Sequence, residues 1–389
     1  MHIALILSQP PGYSETFFKS KIKGLQDAGH QVSLFVYKDD PRFTDCKVLP
    51  MPKVHANPIR QFFATLGVIF GLLPYLKRVI RYVKLELKAG RELKQVFKYI
   101  YINATILKSD AEWLHFGFAT LALQSEHVAK SIDAKMAVSL RGFDIAIYPL
   151  KHSGCYDRLW QLVDKVHTIS DDLLLCAYNQ GLSRNNAVAK ITPAISMELF
   201  NTGAANKNFK TKPIKILTVG RLFWKKGVID MLEALSILKK EKIDFEYQII
   251  GEGEQKEEIL FAIYQLGLEN EVSLLGVKTP REVKELMEIS HIYMQYSHSE
   301  GFCNAVLEAQ AMGLLCIVSD AEGLSENIID GETGWVVPKR QPRLLAKTLE
   351  SVIELDDVIK NQFSERAKAR VKQEFTLEQQ QAKFVEFYN

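Results

Sequence analysis

The sequence predicts an α/β protein built as two parallel-sheet domains, and three observations carry that expectation. Short apolar runs alternate with amphipathic helix patterns, as happens where strands are joined by crossover helices and the sheet is covered on both faces. The length, 389 residues, and an apolar content of 47% supply material for two ordinary globular domains. Between the halves, FNTGAANKNFKTK at 200–212 is polar, Gly-containing and rich in Lys and Asn, so it reads as a linker. The expected domains are 1–200 and 201–370, two Rossmann-like units facing each other across a cleft.

The elements follow in order. MHIALIL at the start lacks a basic leader and meets polar and Pro residues after seven positions, so it reads as a buried first strand rather than a signal peptide. Further strands are expected near 31–37, 112–116, 136–140 and 166–169 in the first half. The second half places them near 214–219, 246–250, 272–275, 292–296 and 315–318. No internal repeat or low-complexity tract interrupts this pattern.

Composition narrows the function. A net charge of +3 is small for this length and makes no case for a nucleic-acid partner. Five cysteines, odd in number and without C-x-x-C spacing, read as reduced thiols of a cytosolic protein. Nine histidines form no metal-ligand pattern, and no phosphate-binding G-x-x-x-x-G-K-[ST] is present.

The stretch SEGFCNAVLEAQAMG at 299–313 carries the most chemistry. Ala305, Leu307, Ala309, Ala311 and Met312 suit a buried helix starting near Asn304, which leaves Glu300 in the preceding loop and Glu308 on the helix. Gly301, Phe302, Cys303, Asn304 and Ala305 form the turn into it. The backbone N–H groups of about 302–305 are the unpaired donors of a helix start, a seat for phosphate. Carboxylates on either side of an anion seat suit a sugar nucleotide, whose hydroxyls need acceptors and whose diphosphate needs donors. Upstream, the predicted strand KILTV runs into GRLFWKKG at 220–227. Gly220 permits a tight turn, and Arg221 and Lys226 offer two cations at the carboxyl end of a strand, where α/β proteins bind ligands.

These segments resemble the retaining glycosyltransferases of family 4, the group 1 transferases, in S-x-x-E-G-F-x-x-x-x-x-E-A-x-A-x-G and G-R-L-x-x-x-K-G. The resemblance implies a GT-B-type fold whose last helix crosses back onto the first domain, here within 371–389. It also implies that Glu300 contacts the donor sugar, Glu308 holds the ribose, and Arg221 and Lys226 neutralise the diphosphate. LLGVKTPREV at 274–283 falls where relatives contact the nucleotide base, which makes Val277 and Lys278 candidates. GEGEQKEEI at 251–259 reads as structural turn glycines, and D-G-x-T-G within 326–338 as turn chemistry.

On the acceptor side, SQPPGYSETFF follows the first strand and resembles the P-x-x-S-E-T-F of exopolysaccharide-type members, as GLQDAGHQV at 24–32 resembles their G-L-x-x-x-G-H-x-V. By that resemblance Gly12 and Tyr13 pack under the sugar diphosphate, while Ser14 is an expected N-cap. His115, at a strand end, is either an acceptor-side group or a core imidazole. SLRGFDIAIYP departs from the family. Arg141 stands where many members have a His, whereas Gly142 and Asp144 are kept. Arginine cannot act as a general base, so Arg141 either orients ligand or marks impaired catalysis.

The resulting expectation is a metal-independent retaining transferase without a cofactor. It would move sugar from a UDP-, GDP- or ADP-sugar to a glycan or lipid-linked acceptor in cell-surface polysaccharide synthesis. The alternatives are a nucleotide-sugar epimerase or hydrolase on the same fold, and a non-catalytic sugar-nucleotide-binding protein. Residues 62–98 add a partner. FFATLGVIFGLLPYL at 62–76 is apolar but too short to span a bilayer, which needs about 20 residues. Residues 77–98 then hold eight Lys or Arg against two Glu. Lys77, Arg81, Lys84, Lys88, Arg91 and Lys98 share one helical face without evident acidic partners. Val79, Tyr82, Ala89, Leu93, Phe97 and Ile100 lie opposite, with Glu86 a flaw in that stripe. The pattern predicts a helix on an anionic membrane surface, at the cytoplasmic face.

Overall fold

The structure, a computed structural model, describes residues 1–12, 16–201, 209 and 211–389. The expected N-cap at Ser14 lies outside them, as does most of the linker expected at 200–212. Two compact units form, Met1–Ile191 together with Gln380–Asn389, and Thr192–Gln379.

The first unit holds β1 (His2–Leu7), β2 (Gln31–Val36), β3 (Lys47–Pro50), β4 (Trp113–Phe116), β5 (Lys135–Leu140), β6 (Lys165–Thr168) and β7 (Ala187–Lys190). They pair in parallel in the order β3-β2-β1-β4-β5-β6-β7. Central strands of a sheet covered on both faces read as continuous apolar runs, which is why HIALIL was legible. β3 and β7 are the two edges, four residues each and only partly covered, so neither carries such a run. Helix Thr16–Asp27 sets Phe17, Phe18, Ile22 and Leu25 against Ile3, Leu5 and Leu7. Phe384, Phe387 and Tyr388, from the final helix Leu377–Tyr388, complete the same core.

The second unit holds β8 (Ile214–Val219), β9 (Phe245–Ile250), β10 (Val272–Leu274), β11 (Ile292–Gln295), β12 (Leu315–Ser319) and β13 (Trp335–Val337). Its order is β10-β9-β8-β11-β12-β13, again all parallel. β13, three residues on an edge, is the strand that sequence reading missed here. In both sheets the order reverses once, between β1 and β4 and between β8 and β11. Successive crossovers leave such a point on opposite faces, so the strand carboxyl ends open a crevice suited to ligands.

Within the first unit, helix Pro58–Leu72 continues through a 3-10 turn at Leu73–Tyr75 into helix Leu76–Lys88. Asn57 caps the first, its side chain accepting from the N–H groups of Ile59 and Arg60. The apolar segment is longer than 62–76 because the helical path survives Pro74. Pro58–Lys88 spans 31 residues and is long and apolar enough to cross a membrane, by length and composition alone. Ile59, Phe62, Phe63, Ile69, Phe70, Leu73, Leu76 and Ile80 are all exposed on it. Leu72, Tyr82 and Glu86 face the protein.

That packing corrects the expected basic face. Arg91 turns inward, with Nε 3.0 Å from Glu86 and Nη2 3.1 Å from Glu126, and stacks on Tyr99. Glu86 is thus no flaw but the buried carboxylate of an ion-paired cluster that also includes His127 Nδ1 at 3.1 Å. Arg81 pairs with Asp133, and Arg78 with Asp110 at 2.6 Å. Lys77, Lys84, Lys88 and Lys98 keep no acidic partner among the described residues. The opposite stripe is mixed: Tyr82 is buried, whereas Leu93 and Phe97 are exposed.

Candidate active site

β8 and β11 flank the reversal in the second sheet, and the loops leaving their carboxyl ends carry the predicted donor residues. After β8, Gly220 and Arg221 lead into a 3-10 turn at Trp224–Lys226, closed by Gly227 at φ +62°. A Cβ on Gly227 would lie 2.2 Å from the Tyr296 carbonyl, so only glycine lets the two loops approach this closely. The Lys225 carbonyl then accepts the His298 N–H at 2.7 Å, and Lys226 forms an ion pair with Glu300. Gly251 and Gly253 sit behind this turn, with the Leu222 N–H on the Glu252 carbonyl at 3.0 Å, which fits a structural role for GEGEQKEEI.

Both ends of the Lys226–Glu300 pair are largely covered, at 12% and 13% side-chain exposure. Burial works against the Lys226 charge, but the facing carboxylate outweighs it and holds the ammonium above its ordinary range. Arg221 is exposed and has no ion-pair partner among the described residues. Arg221 and Lys226 of one loop and Glu300, 74 positions beyond Lys226, therefore lie together where the strand order reverses.

Helix Asn304–Ala311 starts as expected, with Cys303 at its cap. Its first donors are not all open. The Cys303 N–H is given to Asn327 Oδ1 at 3.1 Å, and Asn327 Nδ2 returns a bond to the Cys303 carbonyl at 3.0 Å. This side chain braces the helix start and was missed because it belongs to a segment read as structural. The Gly301 and Phe302 amides have no partner among the described residues. Phe302 itself packs inward, its ring 5.8 Å from that of Phe375, so any ligand contact it makes is through the backbone. Burial pushes the Cys303 thiol up to about 11, which keeps it neutral. Glu308, partly covered on the helix, has its carboxyl pushed up to about 7 by burial. No hydrogen-bond partner for that carboxyl exists among the described residues. Val277 is exposed beyond β10, and Lys278 lies 3.4 Å from Glu282, inside a capping box made with Thr279.

The first unit places its candidates differently. Gly12 is exposed after β1, while Tyr13 lies outside the described residues. His115 is buried in a polar chain across the strands. Tyr388 Oη and Lys21 Nζ stand 2.6 and 3.0 Å from its Nδ1, and Ser139 Oγ is 2.8 Å from its Nε2. Ser139 in turn is 2.8 Å from His167 Nδ1, and His167 Nε2 is 3.0 Å from the Ile191 carbonyl. That carbonyl only accepts, which fixes each donor in turn and makes His115 Nδ1 an acceptor. Burial first, then the charges of Lys21 and Arg141, hold both imidazoles well below their ordinary range. His115 is thus the core imidazole of the two readings. Asp144 is buried as well, accepting the N–H groups of Ala119 at 3.1 Å and Arg141 at 3.0 Å, and shapes the loop after β5. Arg141 lays its guanidinium 4.1 Å from the Phe17 ring and 4.8 Å from the Phe18 ring.

Two parallel α/β sheets, the second with cations and carboxylates gathered at its strand-order reversal, define the class of fold to which this chain belongs. Residues 201–370 match the family of glycosyl transferases group 1. Over 262 residues the chain is 29% identical to the amylovoran biosynthesis glycosyltransferase AmsK of Erwinia amylovora, covering 64% of this chain and 62% of that one. It is 24% identical over 395 residues to WcaL of Salmonella typhimurium, named for colanic acid biosynthesis, covering 96% of both. The fold matches a crystal structure of Anabaena HepE in complex with UDP-glucose, with TM-score 0.73, 17% identity and coverage of 100% and 99%. The chain thus carries a glycosyl transferases group 1 domain over 201–370, has a GT-B-type fold, and is similar to glycosyltransferases named for exopolysaccharide biosynthesis.

Proposed function

We propose that this chain transfers sugar from a nucleoside-diphosphate sugar, with retention at the anomeric carbon, to a glycan carried on a membrane lipid. The pairing of Lys226 with Glu300 beside exposed Arg221 carries this reading. As the glycosidic bond breaks, negative charge grows on the departing diphosphate. Cations already in place stabilise that charge more than the ground state and so lower the barrier. Arg221 and Lys226 take the diphosphate, with the open amides of Gly301 and Phe302 as further donors. Glu300 meets the sugar hydroxyls, Glu308 the ribose, and Val277 and Lys278 flank the base. No metal is required by this scheme, and EDTA-treated enzyme should keep its activity.

An acceptor at a membrane is supported by the exposed apolar helix Pro58–Leu72 and by the lysines after it that have no acidic partner among the described residues. Aromatic and aliphatic side chains enter the lipid interface while lysines meet anionic headgroups, which puts the enzyme on the cytoplasmic leaflet. The test is a stability screen with UDP-, GDP- and ADP-sugars, because a bound donor raises the unfolding midpoint by mass action. One nucleotide series should stabilise the protein and support radiolabelled sugar transfer to membrane lipid extracts. Freed or isomerised sugar without transfer would instead support the hydrolase or epimerase alternative.

A further inference from the structure

Glu322 stands just beyond β12, at the start of a short 3-10 turn, with its backbone at φ +27°. Side chains other than glycine rarely adopt such a conformation, and where one does the surroundings must hold it there. Here its Oε2 accepts the backbone N–H of Glu300 at 2.6 Å, a charge-assisted bond to the peptide that carries the predicted sugar contact. The other oxygen lies 3.7 Å from Lys339 Nζ, which also donates to the His298 carbonyl at 3.2 Å. Lys339 is anchored in turn, its N–H on Asp320 Oδ1 at 2.8 Å. A carboxylate and a lysine from the β12 and β13 ends thus brace the loop leaving β11.

We propose that Glu322 is a positioning residue that fixes the Glu300 peptide and so aims the Glu300 side chain at the donor sugar. The inference rests on the reading of Glu300 as the sugar contact. In the free protein Glu300 is held at two points, its side chain by Lys226 and its peptide by Glu322. When a nucleotide diphosphate engages Lys226, the side-chain restraint weakens. The Glu322 bond then remains to keep the carboxylate in register with the sugar hydroxyls. A purely structural turn would favour glycine at this backbone angle, whereas glycine has no acceptor to offer.

The experiment uses the full chain with Glu322→Gly, which suits the backbone but removes the acceptor, and Glu322→Gln, which keeps an acceptor oxygen. Three quantities are read: the amide proton shift of Glu300, the unfolding midpoint with and without ligand, and sugar release or transfer. The ligands are UDP, GDP and ADP, compared with UDP-glucose, GDP-mannose and ADP-glucose. Wild type should show a downfield Glu300 amide that moves upfield in Glu322→Gly. That variant should match or exceed the wild-type midpoint and respond normally to the nucleoside diphosphate. It should lose the added response to the sugar and fall about ten- to a hundredfold in kcat, the scale expected of a misplaced reacting contact. Glu322→Gln should recover most of the rate. An unmoved Glu300 amide, an undiminished kcat, or a fall in midpoint that weakens both ligand responses alike would overturn the positioning role. If no sugar nucleotide stabilises wild type, the donor reading fails first and takes this inference with it.

Discussion

Lys226 and Arg221 are two cations of one loop in different surroundings, and their variants should differ accordingly. In the proposed donor site each donates charge-assisted bonds to the diphosphate worth about 1.5–3 kcal/mol, so Ala at either position should lower kcat/KM about ten- to a hundredfold. Arg221 is exposed, and Arg221→Ala should leave the unfolding midpoint unchanged. Lys226→Ala strands the covered Glu300 carboxylate and should lower it. Calorimetry beside donor kinetics checks both. Glu308 gives a pH prediction. Its folded carboxyl titrates at about 7, above the ordinary 4.5, so the folded state binds the proton more tightly and the protonated form prevails below that pH. With Glu308 as the proposed acceptor for the ribose hydroxyls, donor affinity should fall as pH drops through 7. Glu308→Gln should bind more weakly but without that pH dependence, and should raise the midpoint above pH 8, where the wild-type carboxylate is charged and covered. The types of these residues were legible in two short motifs. Their mutual placement was not, because Lys226 and Glu300 are 74 positions apart and only the strand order brings them together. Asn327 and Glu322 were illegible for a further reason: each acts on a backbone amide, which leaves no side-chain pattern to find.

At the scale of elements, strands covered on both faces were legible because their apolar runs are continuous. β3, β7 and β13 were not, since an edge strand of three or four residues needs no such run. Helix Leu76–Lys88 shows a different limit. Its basic residues were visible, but acidic partners contributed by other segments, Asp133 and Glu126, were not. This changes the membrane test. Reversing Arg91 would break a buried ion-pair cluster and confuse misfolding with lost binding. The informative variant instead carries Lys77→Glu, Lys84→Glu, Lys88→Glu and Lys98→Glu, all outside that cluster. It should lose sedimentation with anionic vesicles and keep donor affinity, since each lysine contributes about 1 kcal/mol at such a surface. A second variant, Phe62→Ser with Phe63→Ser and Phe70→Ser, should lose binding even at low salt. Wild-type binding insensitive to both sets of changes would remove this face as the anchor.

For the whole molecule, the chain of Tyr388, His115, Ser139 and His167 ties the last helix to the centre of the first sheet. Its imidazoles are neutral when folded, with pKa values well below the ordinary 6.5. The unfolded chain therefore takes up more protons below about pH 6.5, and stability should fall as the solution is acidified. Thermal unfolding between pH 7.5 and 5 measures this, and His167→Gln should flatten the slope.

The return of Gln380–Asn389 to the first unit also has a consequence for biosynthesis. A ribosome delivers the first 191 residues early, yet Phe384, Phe387 and Tyr388 come last. All of Thr192–Gln379 must be translated in between, which at about 5–20 residues per second takes roughly 10–40 s. Throughout that interval the nascent first domain has an unfilled aromatic socket and an uncapped imidazole at His115. A fragment ending before Gln380 should therefore expose apolar surface that the last helix otherwise covers.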